Sequence, residues 1–301
     1  MVRNTRSNIL LLITAILWGF AFVAQRAAME QHLGPFIFNG VRFALGSMSL
    51  IPLMLVNRKR QLKDESPTIS TGKAILGGAL AGSVLFIGSS LQQIGVIYTT
   101  AGKAGFITGL YVIIVPILGL LWRQRADIST WGGAILATIG LYFLSVTRDF
   151  SMSRGDLLVL VSAFFWAGHV HIIGWLSGRI DPIKLAFLQF TTCSVLSLIS
   201  AVLVETISVQ KLFDAAIPIL YGGLVSVGIA YTLQVVAQQH AHPTHAAIIL
   251  SLETVFAVIG GWIILGERLP SRGLFGCALM LGGMLLSQID IRSKFLKDSY
   301  E

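Results

Sequence analysis

Two charged side chains, Arg42 and Glu253, lie inside long apolar stretches of the sequence. A charge near the centre of a membrane-spanning helix costs about 2.5–3.5 kcal/mol on insertion scales, so each residue requires an explanation. The planar guanidinium group of Arg42 suits bidentate binding of a carboxylate. Glu253 would attract an ammonium group or carry a coupled proton. The structural alternative is that the two side chains neutralise each other, or bind backbone carbonyl groups, and so hold helices together.

Each charged position aligns with a polar residue in an internal repeat of the sequence. Arg42 aligns with Gln189, and Tyr111 aligns with Glu253. The alignment rests on residues that recur in the same order in both halves: Trp18, Pro35, Phe43 and Ser47 as Trp166, Pro182, Phe190 and Ser194, and Leu91, Gln92, Ala104 and Ile107 as Leu233, Gln234, Ala246 and Ile249. We therefore expect the four polar side chains to surround one pseudo-twofold axis near the membrane centre.

Aromatic and amide side chains accompany these charges on the predicted helices. Trp18, Phe22 and Gln25 lie on one face of the first helix, because they are spaced four and then three residues apart. Trp166 repeats Trp18, and His169 follows it on the same face. Such residues would line a cavity and offer an aromatic face to a substrate ammonium group; the alternative is packing between helices. The candidate substrate-binding residues are Trp18, Gln25, Arg42, Tyr111, Trp166, His169, Gln189 and Glu253.

The sequence offers no pattern for catalysis or for a metal centre. It contains no H-E-x-x-H, G-x-G-x-x-G or P-loop motif, and nothing places a nucleophile beside a base. His169 and His171 are two residues apart, which sets them on different faces of a helix. The cluster of His240, His242 and His245 has no acidic or cysteine neighbour. We predict no catalytic residue, metal ion or cofactor, and we do not expect an enzyme.

The composition is that of a membrane protein. Of the 301 residues, 54% are apolar and only 12% are charged, whereas soluble proteins carry about 25% charged residues. Ten apolar stretches are long enough to cross a bilayer as helices: 8–28, 35–56, 74–97, 102–122, 129–146, 156–176, 183–204, 215–236, 243–264 and 271–290. The predicted fold class is all-α, a polytopic membrane protein with ten transmembrane helices. We expect Gln92, Gln93 and Gln234 to form hydrogen bonds between these helices.

The repeat and the basic residues together predict the topology. Residues 1–150 form the first five-helix repeat and residues 151–301 the second, and five crossings per repeat invert the second copy relative to the first. With both termini cytoplasmic, the cytoplasmic segments hold about twice as many Lys and Arg residues as the opposite ones, in keeping with the positive-inside rule. The net charge of +8 therefore reflects topology rather than nucleic-acid binding. The predicted location is the cell inner membrane, with multiple passes.

Several local motifs, in order along the chain, resemble those of one known family. They are ILWGFAFVAQR at 16–26, LQQIGVIYTTAGKAGFI at 91–107, Val115-Pro116, LGERL at 265–269, and the glycines Gly276 and Gly282-Gly283. On these motifs the chain resembles the EamA family of the drug/metabolite transporter superfamily. The resemblance implies ten helices in two five-helix halves around a central cavity, and transport of small metabolites, often amino acids and often outward. The second copy departs from the pattern: Trp166 is followed by Ala167, so a role of Gly19 does not transfer to that position.

These observations predict a secondary transporter, a permease that moves small metabolites, amino acids or related compounds, outward across the cytoplasmic membrane by alternating access. The competing interpretation is an intramembrane enzyme or a lipid-handling protein on the same scaffold. The expected partners are a small-molecule substrate and the lipid bilayer. Protons as the coupling ion, the substrate itself, the direction of transport, and a monomeric or homodimeric state all stay open at this stage.

Overall fold

Helices make up nearly all of the chain in the computed structural model, which describes residues 2–61, 70–122, 128–145, 152–241 and 243–286. The first half forms α1 (Val2–Glu30), α2 (Pro35–Gln61), α3 (Thr71–Ile97), α4 (Ala101–Gly109), α5 (Tyr111–Gly119), a 3₁₀ turn (Leu120–Trp122) and α6 (Ile128–Ser145). The second half forms α7 (Arg154–Leu176), α8 (Pro182–Val204), α9 (Val209–Asp214), α10 (Ala216–Leu220), a π-helix (Tyr221–Tyr231), α11 (Thr232–Gln238), α12 (Pro243–Leu250), α13 (Glu253–Leu265) and α14 (Ser271–Leu286).

The predicted all-α, polytopic membrane fold is confirmed for the described residues. Eight segments are long and apolar enough to cross a bilayer: Thr5–Glu30, Pro35–Val56, Thr71–Ile97, Ala101–Gly119, Arg154–Leu176, Pro182–Val204, Ala216–Gln238 and Pro243–Leu265. The fifth and tenth predicted stretches form shorter apolar helices, Trp131–Leu144 and Ser271–Leu286. The predicted ends at 146 and 287–290 lie outside the described residues, as do several basic residues behind the topology prediction: Lys63, Arg123, Arg125, Arg148, Arg292, Lys294 and Lys297.

The two shorter helices, α6 and α14, pack against each other through glycines. A methyl group added to Gly140 would lie 2.7 Å from the carbonyl oxygen of Gly276, and one added to Gly276 would lie 2.7 Å from that of Gly140. Gly283 approaches the carbonyl oxygen of Gly133 in the same way, at 2.6 Å. The helices are therefore antiparallel and in backbone contact. Lipid provides no hydrophobic drive between helices, so such close packing of small residues supplies the attraction.

Two carboxylates of the second half cap helices of the first half. Both lie where α1 ends and α2 begins, named below the α1–α2 end of the bundle. The Glu205 carboxylate accepts hydrogen bonds from the backbone N–H groups of Phe36 (2.7 Å) and Ile37 (2.8 Å) in the first turn of α2. The Glu267 carboxylate accepts from the first two N–H groups of α4, at 2.8 and 3.1 Å. Each carboxylate satisfies two otherwise free donors and opposes the positive end of a helix dipole.

Removing the Glu267 cap should destabilise the fold. Glu267→Ala leaves two backbone donors of α4 without their acceptor, and loss of an N-terminal cap costs about 0.5–2 kcal/mol. We expect a thermal unfolding midpoint in detergent that is a few degrees lower than that of the wild type. Glu30→Ala is the matched control, because its exposed ion pair with Arg26 (3.1 Å) should contribute little. Equal losses in the two variants would contradict the capping role.

The fourth and ninth predicted spans both break near mid-length. Leu110 separates α4 from α5, and residues 251–252 separate α12 from α13. Each break contains a backbone N–H that is bonded three residues back rather than four, at 3.2 Å in both cases. Tyr111 is therefore the first residue of α5, and Glu253 the first residue of α13. The two residues that align in the sequence repeat thus begin equivalent half-helices.

Close packing of α4 on α13 brings these two breaks together. Gly105 contacts Ala257, and Gly109 contacts Thr254, with no room for a larger side chain at either glycine. Gly109 immediately precedes the first break, and Thr254 is the second residue after the second break. Tyr111 and Glu253 consequently start their half-helices side by side.

The eighth predicted span contains an 11-residue π-helix, Tyr221–Tyr231. Such wide turns are rare and often occur at functional sites. Its glycines allow α2 to approach closely: Gly222, Gly223 and Gly228. From the side of α1, Thr14 Oγ1 donates to the carbonyl oxygen of Ala230 (3.2 Å). Trp18 Nε1 donates to that of Ser226 (3.3 Å). The π-helix is thus held between α1 and α2.

Candidate functional site

A polar cavity lies between the first two helices, α3, α7, the π-helix and the two broken spans. Its volume, counted as the space that the centre of a water molecule can occupy, is about 40 Å³. One water needs about 10–15 Å³ measured in that way, so a few waters or a small polar solute fit. Seven of the eight predicted candidates line the cavity: Trp18, Gln25, Arg42, Tyr111, Trp166, His169 and Glu253. The lining is completed by Phe22, Gln92, Thr108, Val170, Ser226, Tyr231, Gln234 and Leu250.

The eighth candidate, Gln189, lies behind the cavity wall. Its Oε1 atom is 2.8 Å from Nε2 of His169, which does line the cavity. Its Nε2 atom is buried and makes no hydrogen bond to the described residues. Gln189 therefore acts on the cavity through His169, and it does not reach the cavity surface itself.

Arg42 is 2% exposed and keeps most of its hydrogen-bonding capacity free. Its Nε donates to Oδ1 of Asn39, one turn earlier on α2 (3.0 Å). Its guanidinium carbon lies 5.2 Å from the ring centroid of Phe38 and 4.9 Å from that of Phe43, and such cation–π contacts stabilise a buried charge. No described carboxylate lies within 4.0 Å of Arg42. The remaining guanidinium N–H groups are available to a ligand in the cavity.

Glu253 is 3% exposed and also has no ionic partner. Within the described ranges, the ion pairs are Arg26–Glu30 and Lys103–Asp156, and neither involves Glu253. The hydroxyl group of Tyr111 lies near the carboxylate, but it makes no hydrogen bond of good geometry. Two further oxygen atoms, Thr108 Oγ1 and Gln234 Oε1, are buried on the cavity wall without a hydrogen bond. The cavity wall therefore presents these unbonded oxygen atoms in addition to the carboxyl group of Glu253.

The two charges do not neutralise each other, so that part of the structural alternative is wrong. A buried charge without a partner carries a desolvation penalty of several kcal/mol. Arg42 offsets part of its penalty through Asn39 and two phenylalanine rings. Glu253 has only nearby hydroxyl groups. The cavity thus holds a guanidinium group and a carboxyl group without ionic partners. Water or a ligand can compensate both groups, and a proton can compensate the carboxyl group.

Tyr231, the last residue of the π-helix, is the centre of an aromatic cluster. Its ring centroid lies 4.5 Å from that of Trp18 and 6.2 Å from that of Trp166. Three further rings surround it at 5.9–6.4 Å: Phe43, His169 and Phe190. Its hydroxyl group lies near both Arg42 and Glu253. The cluster therefore places an aromatic surface between the cationic and the anionic part of the cavity.

Comparison with known proteins identifies the family of the chain. Residues 5–146 and 153–288 each match the model of the EamA-like transporter family. The chain belongs to the EamA-like transporter family. It is accordingly a membrane transporter, which works in a lipid bilayer on a small-molecule substrate.

Relatives of this EamA-like chain include proteins with transporter names. An uncharacterized transporter of Archaeoglobus fulgidus is 30% identical over 291 residues, which cover 96% of this chain and 88% of the relative. YoaV, an uncharacterized transporter of Bacillus subtilis, is 22% identical over 281 residues, 90% of this chain and 93% of the relative. A WAT1-related chloroplastic protein of Arabidopsis thaliana is 26% identical over 282 residues, 89% of this chain and 66% of the relative. The names point to a transporter rather than to an enzyme.

A solved crystal structure shares the fold of the EamA-like chain. It superposes with a TM-score of 0.70 at 16% sequence identity and covers 95% of this chain and 98% of its own. At that identity the likeness concerns the fold alone.

Several cavity residues of this EamA-like transporter were not predicted as such. Gln92 and Gln234 were expected to link helices; Gln92 does so, through Gln25 and Trp166, and both also line the cavity. Their alignment in the repeat was the available signal. Tyr231 and Ser226 carry no comparable signal, because their placement depends on a π-helix that no local pattern marks.

The histidines of the EamA-like chain do not form a metal centre within the part that the structure describes. Nε2 of His171 lies 2.8 Å from the carbonyl oxygen of Val115, and Nε2 of His245 lies 2.9 Å from Oδ1 of Asn8. His242 lies outside the described residues.

Proposed function

We propose that the chain is a secondary transporter that moves small zwitterionic metabolites, amino acids or related compounds, outward across the cytoplasmic membrane. One observation carries this proposal: Arg42 and Glu253 are both buried, both line one cavity, and neither has an ionic partner among the described residues. A zwitterion supplies both missing charges at once. A neutral solute would leave the charge of Arg42 without a partner, and Glu253 would have to be protonated or stay unpaired.

The polar groups suggest how an amino acid lies in the cavity. Its carboxylate would bind the free N–H groups of Arg42, which can engage two oxygens at once. Its ammonium group would lie against the acceptor oxygens around Glu253. The aromatic cluster between them would contact the rest of the solute, and Trp18 or Trp166 would present a ring face to the cation.

Two contacts across the bundle support ten crossings rather than eight. Glu205 bonds the start of α2, and Glu267 bonds the start of α4, so each pair of positions lies at the same end of the bundle. The chain returns to the same end only after an even number of crossings. Between the members of each pair lie five long spans and the shorter helix α6. The crossing number is therefore even only if α6 also spans the membrane.

The same reasoning extends to α14 and to the orientation of the halves. α14 lies antiparallel to α6 with matched glycine contacts, so it would span the membrane as well. Ten crossings give two sets of five, an inverted second copy, and both termini on one side. The basic residues favour the cytoplasm for that side. Inverted-repeat transporters work by alternating access, in which bundles of helices move relative to each other about a central cavity.

Flux measurements test this function. We expect purified protein in liposomes to show saturable uptake of at least one labelled amino acid, and counterflow of the unmodified solute. Overproduction in cells should deplete the same solute inside and enrich it in the medium. Appearance of a new chemical species would favour the intramembrane enzyme instead. Absence of saturable flux across a broad metabolite panel would refute the proposal.

Imposed gradients separate the coupling alternatives. A pH gradient that drives uphill accumulation would assign protons as the coupling ion. Exchange that is insensitive to pH but dependent on solute on the opposite side would indicate facilitated exchange.

A further inference from the structure

Three side chains of the cavity wall form a continuous hydrogen-bond chain, Trp166–Gln92–Gln25. Nε1 of Trp166 donates to Oε1 of Gln92 at 2.7 Å. Nε2 of Gln92 donates in turn to Oε1 of Gln25 at 3.0 Å. All three residues are buried and line the cavity. They belong to three different helices, α7, α3 and α1, so the chain spans one wall of the site.

The direction of this chain is fixed by its first member. An indole N–H only donates, so the group that Gln92 turns towards Trp166 has to be its carbonyl oxygen. The amide nitrogen of Gln92 then faces Gln25, so the carbonyl oxygen of Gln25 must accept the hydrogen bond. Turning either amide round would set N–H against N–H inside the protein, and a buried donor without an acceptor is unfavourable.

One donor is left over at the end of the chain. The Nε2 group of Gln25 donates to none of the described residues, and it is not among the fully enclosed atoms that lack a partner. Because Gln25 lines the cavity, this N–H₂ group is available to a ligand there. A glutamine amide can normally present either its N–H₂ group or its carbonyl oxygen to a ligand. Here the carbonyl oxygen of Gln25 is bonded to Gln92, so the N–H₂ group faces the ligand.

Gln25 and Arg42 lie at similar depth in the bundle. Gln25 is five residues before the last residue of α1, and Arg42 is seven residues after the first residue of α2. At the rise of an α-helix these positions are about 7.5 Å and about 10.5 Å from the α1–α2 end. Both residues therefore offer free donors to the cavity at a similar depth, Arg42 through its guanidinium group and Gln25 through its amide nitrogen.

We propose that Gln25 and Arg42 form an anion subsite that takes a carboxylate group, and that Trp166, acting through Gln92, imposes its donor polarity. This inference rests on the proposed function, since the carboxylate is that of the transported solute. A carboxylate accepts at both oxygens, so it can bind donors of Arg42 and of Gln25 together. A carboxamide brings an N–H₂ group that meets another donor, so the subsite rejects it. Trp166 is then a positioning residue, and Gln92 transmits its effect.

The test compares each proteinogenic L-amino acid with its own carboxamide in a binding assay on the purified protein. Wild type should favour the acid. Trp166→Phe keeps an aromatic ring but removes the indole donor, and Gln92→Met keeps the length but breaks the chain. In both variants the Gln25 amide is free to turn, and we expect the ratio of acid to amide affinity to fall by about tenfold.

Gln93→Met is the matched control. Gln93 is the neighbour of Gln92 and is equally buried, but its Nε2 donates to the backbone carbonyl oxygen of Gln25 (3.2 Å) and not to the side chain. The control should keep the wild-type ratio. An unchanged ratio in both Trp166→Phe and Gln92→Met, with thermal unfolding midpoints near that of the wild type, would overturn the inference.

A second measurement requires no transported solute. In protein labelled isotopically at tryptophan, the indole N–H resonance of Trp166 should move upfield in Gln92→Met and stay in place in Gln93→Met. An unmoved resonance in Gln92→Met would also overturn the inference. If no amino acid binds to any variant, the proposed function fails. The polarity of the subsite is then measured with acetate against acetamide, which carry no amino group, and loss of acetate preference on breaking the chain would still support it.

Discussion

Arg42→Ala should abolish transport of zwitterionic and anionic solutes in a protein that still folds. The variant removes the free guanidinium donors of the cavity, and hydrogen bonds to charged groups are worth about 1.5–3 kcal/mol each. Loss of a bidentate pair then lowers kcat/KM by roughly a hundredfold or more. Folding should survive, because the substitution also removes a buried charge that has no ionic partner. Initial rates of labelled amino acid uptake in proteoliposomes measure the effect.

Two further variants separate charge from geometry. Arg42→Lys keeps the positive charge but loses the planar fork, so part of the flux should remain. Arg179→Ala is the control: this arginine is exposed, stacks on the ring of Trp175 at 4.7 Å, and lines no part of the cavity. Its flux should match that of the wild type. Normal transport of amino acids by Arg42→Ala would rule out the proposed role.

Glu253→Gln should remove the preference for a free ammonium group. The substitution keeps size and shape but replaces an unpaired carboxylate with an amide, so attraction to a solute cation is lost. We expect transport of free amino acids to fall by about tenfold or more, in line with the loss of a charge-assisted hydrogen bond. N-acetylated analogues, which carry no ammonium group, should be affected little. Competition of each analogue against one labelled amino acid gives the comparison.

The same variant distinguishes the two roles open to the glutamate. If Glu253 carries a coupled proton, Glu253→Gln keeps exchange of solutes but loses its response to an imposed pH gradient. If Glu253 binds the substrate ammonium group, both exchange and gradient-driven uptake weaken. Glu30→Gln serves as the exposed control, since Glu30 pairs with Arg26 at the end of α1. Unaltered selectivity and unaltered pH response in Glu253→Gln would exclude both roles.

The general fold followed from composition because long apolar stretches with few charges have few alternatives to membrane helices. The pairing of the fifth and tenth helices did not follow, since α6 and α14 contact each other through the backbone at glycines rather than through apolar side chains. Those contacts pair Gly140 with Gly276 and Gly133 with Gly283. Gly133 and Gly140 align with Gly276 and Gly283 in the repeat. This alignment alone does not predict which of the four glycines are in contact.

The charged part of the site was predictable for a simple physical reason. Arg42 and Glu253 are expensive in a bilayer, so a sequence that keeps them indicates a polar cavity. Tyr231 escaped prediction because an ordinary tyrosine in an apolar helix carries no such penalty. The direction of the Gln25 amide also escaped it, because that direction depends on contacts among α1, α3 and α7 that are distant in sequence. Gln189 was predicted to line the cavity but lies behind His169, and its position in the repeat does not reveal this arrangement.

The glycine contact between α6 and α14 has a mechanical consequence. One helix comes from each half of the sequence, yet the two touch backbone to backbone and each packs mainly on the other. Sliding or separation of the two helices would break these contacts. We therefore expect α6 and α14 to move together as one rigid unit in any rearrangement that opens the cavity. The rigid bodies that move are consequently not the two sequence repeats, because one helix of each repeat is packed against a helix of the other repeat.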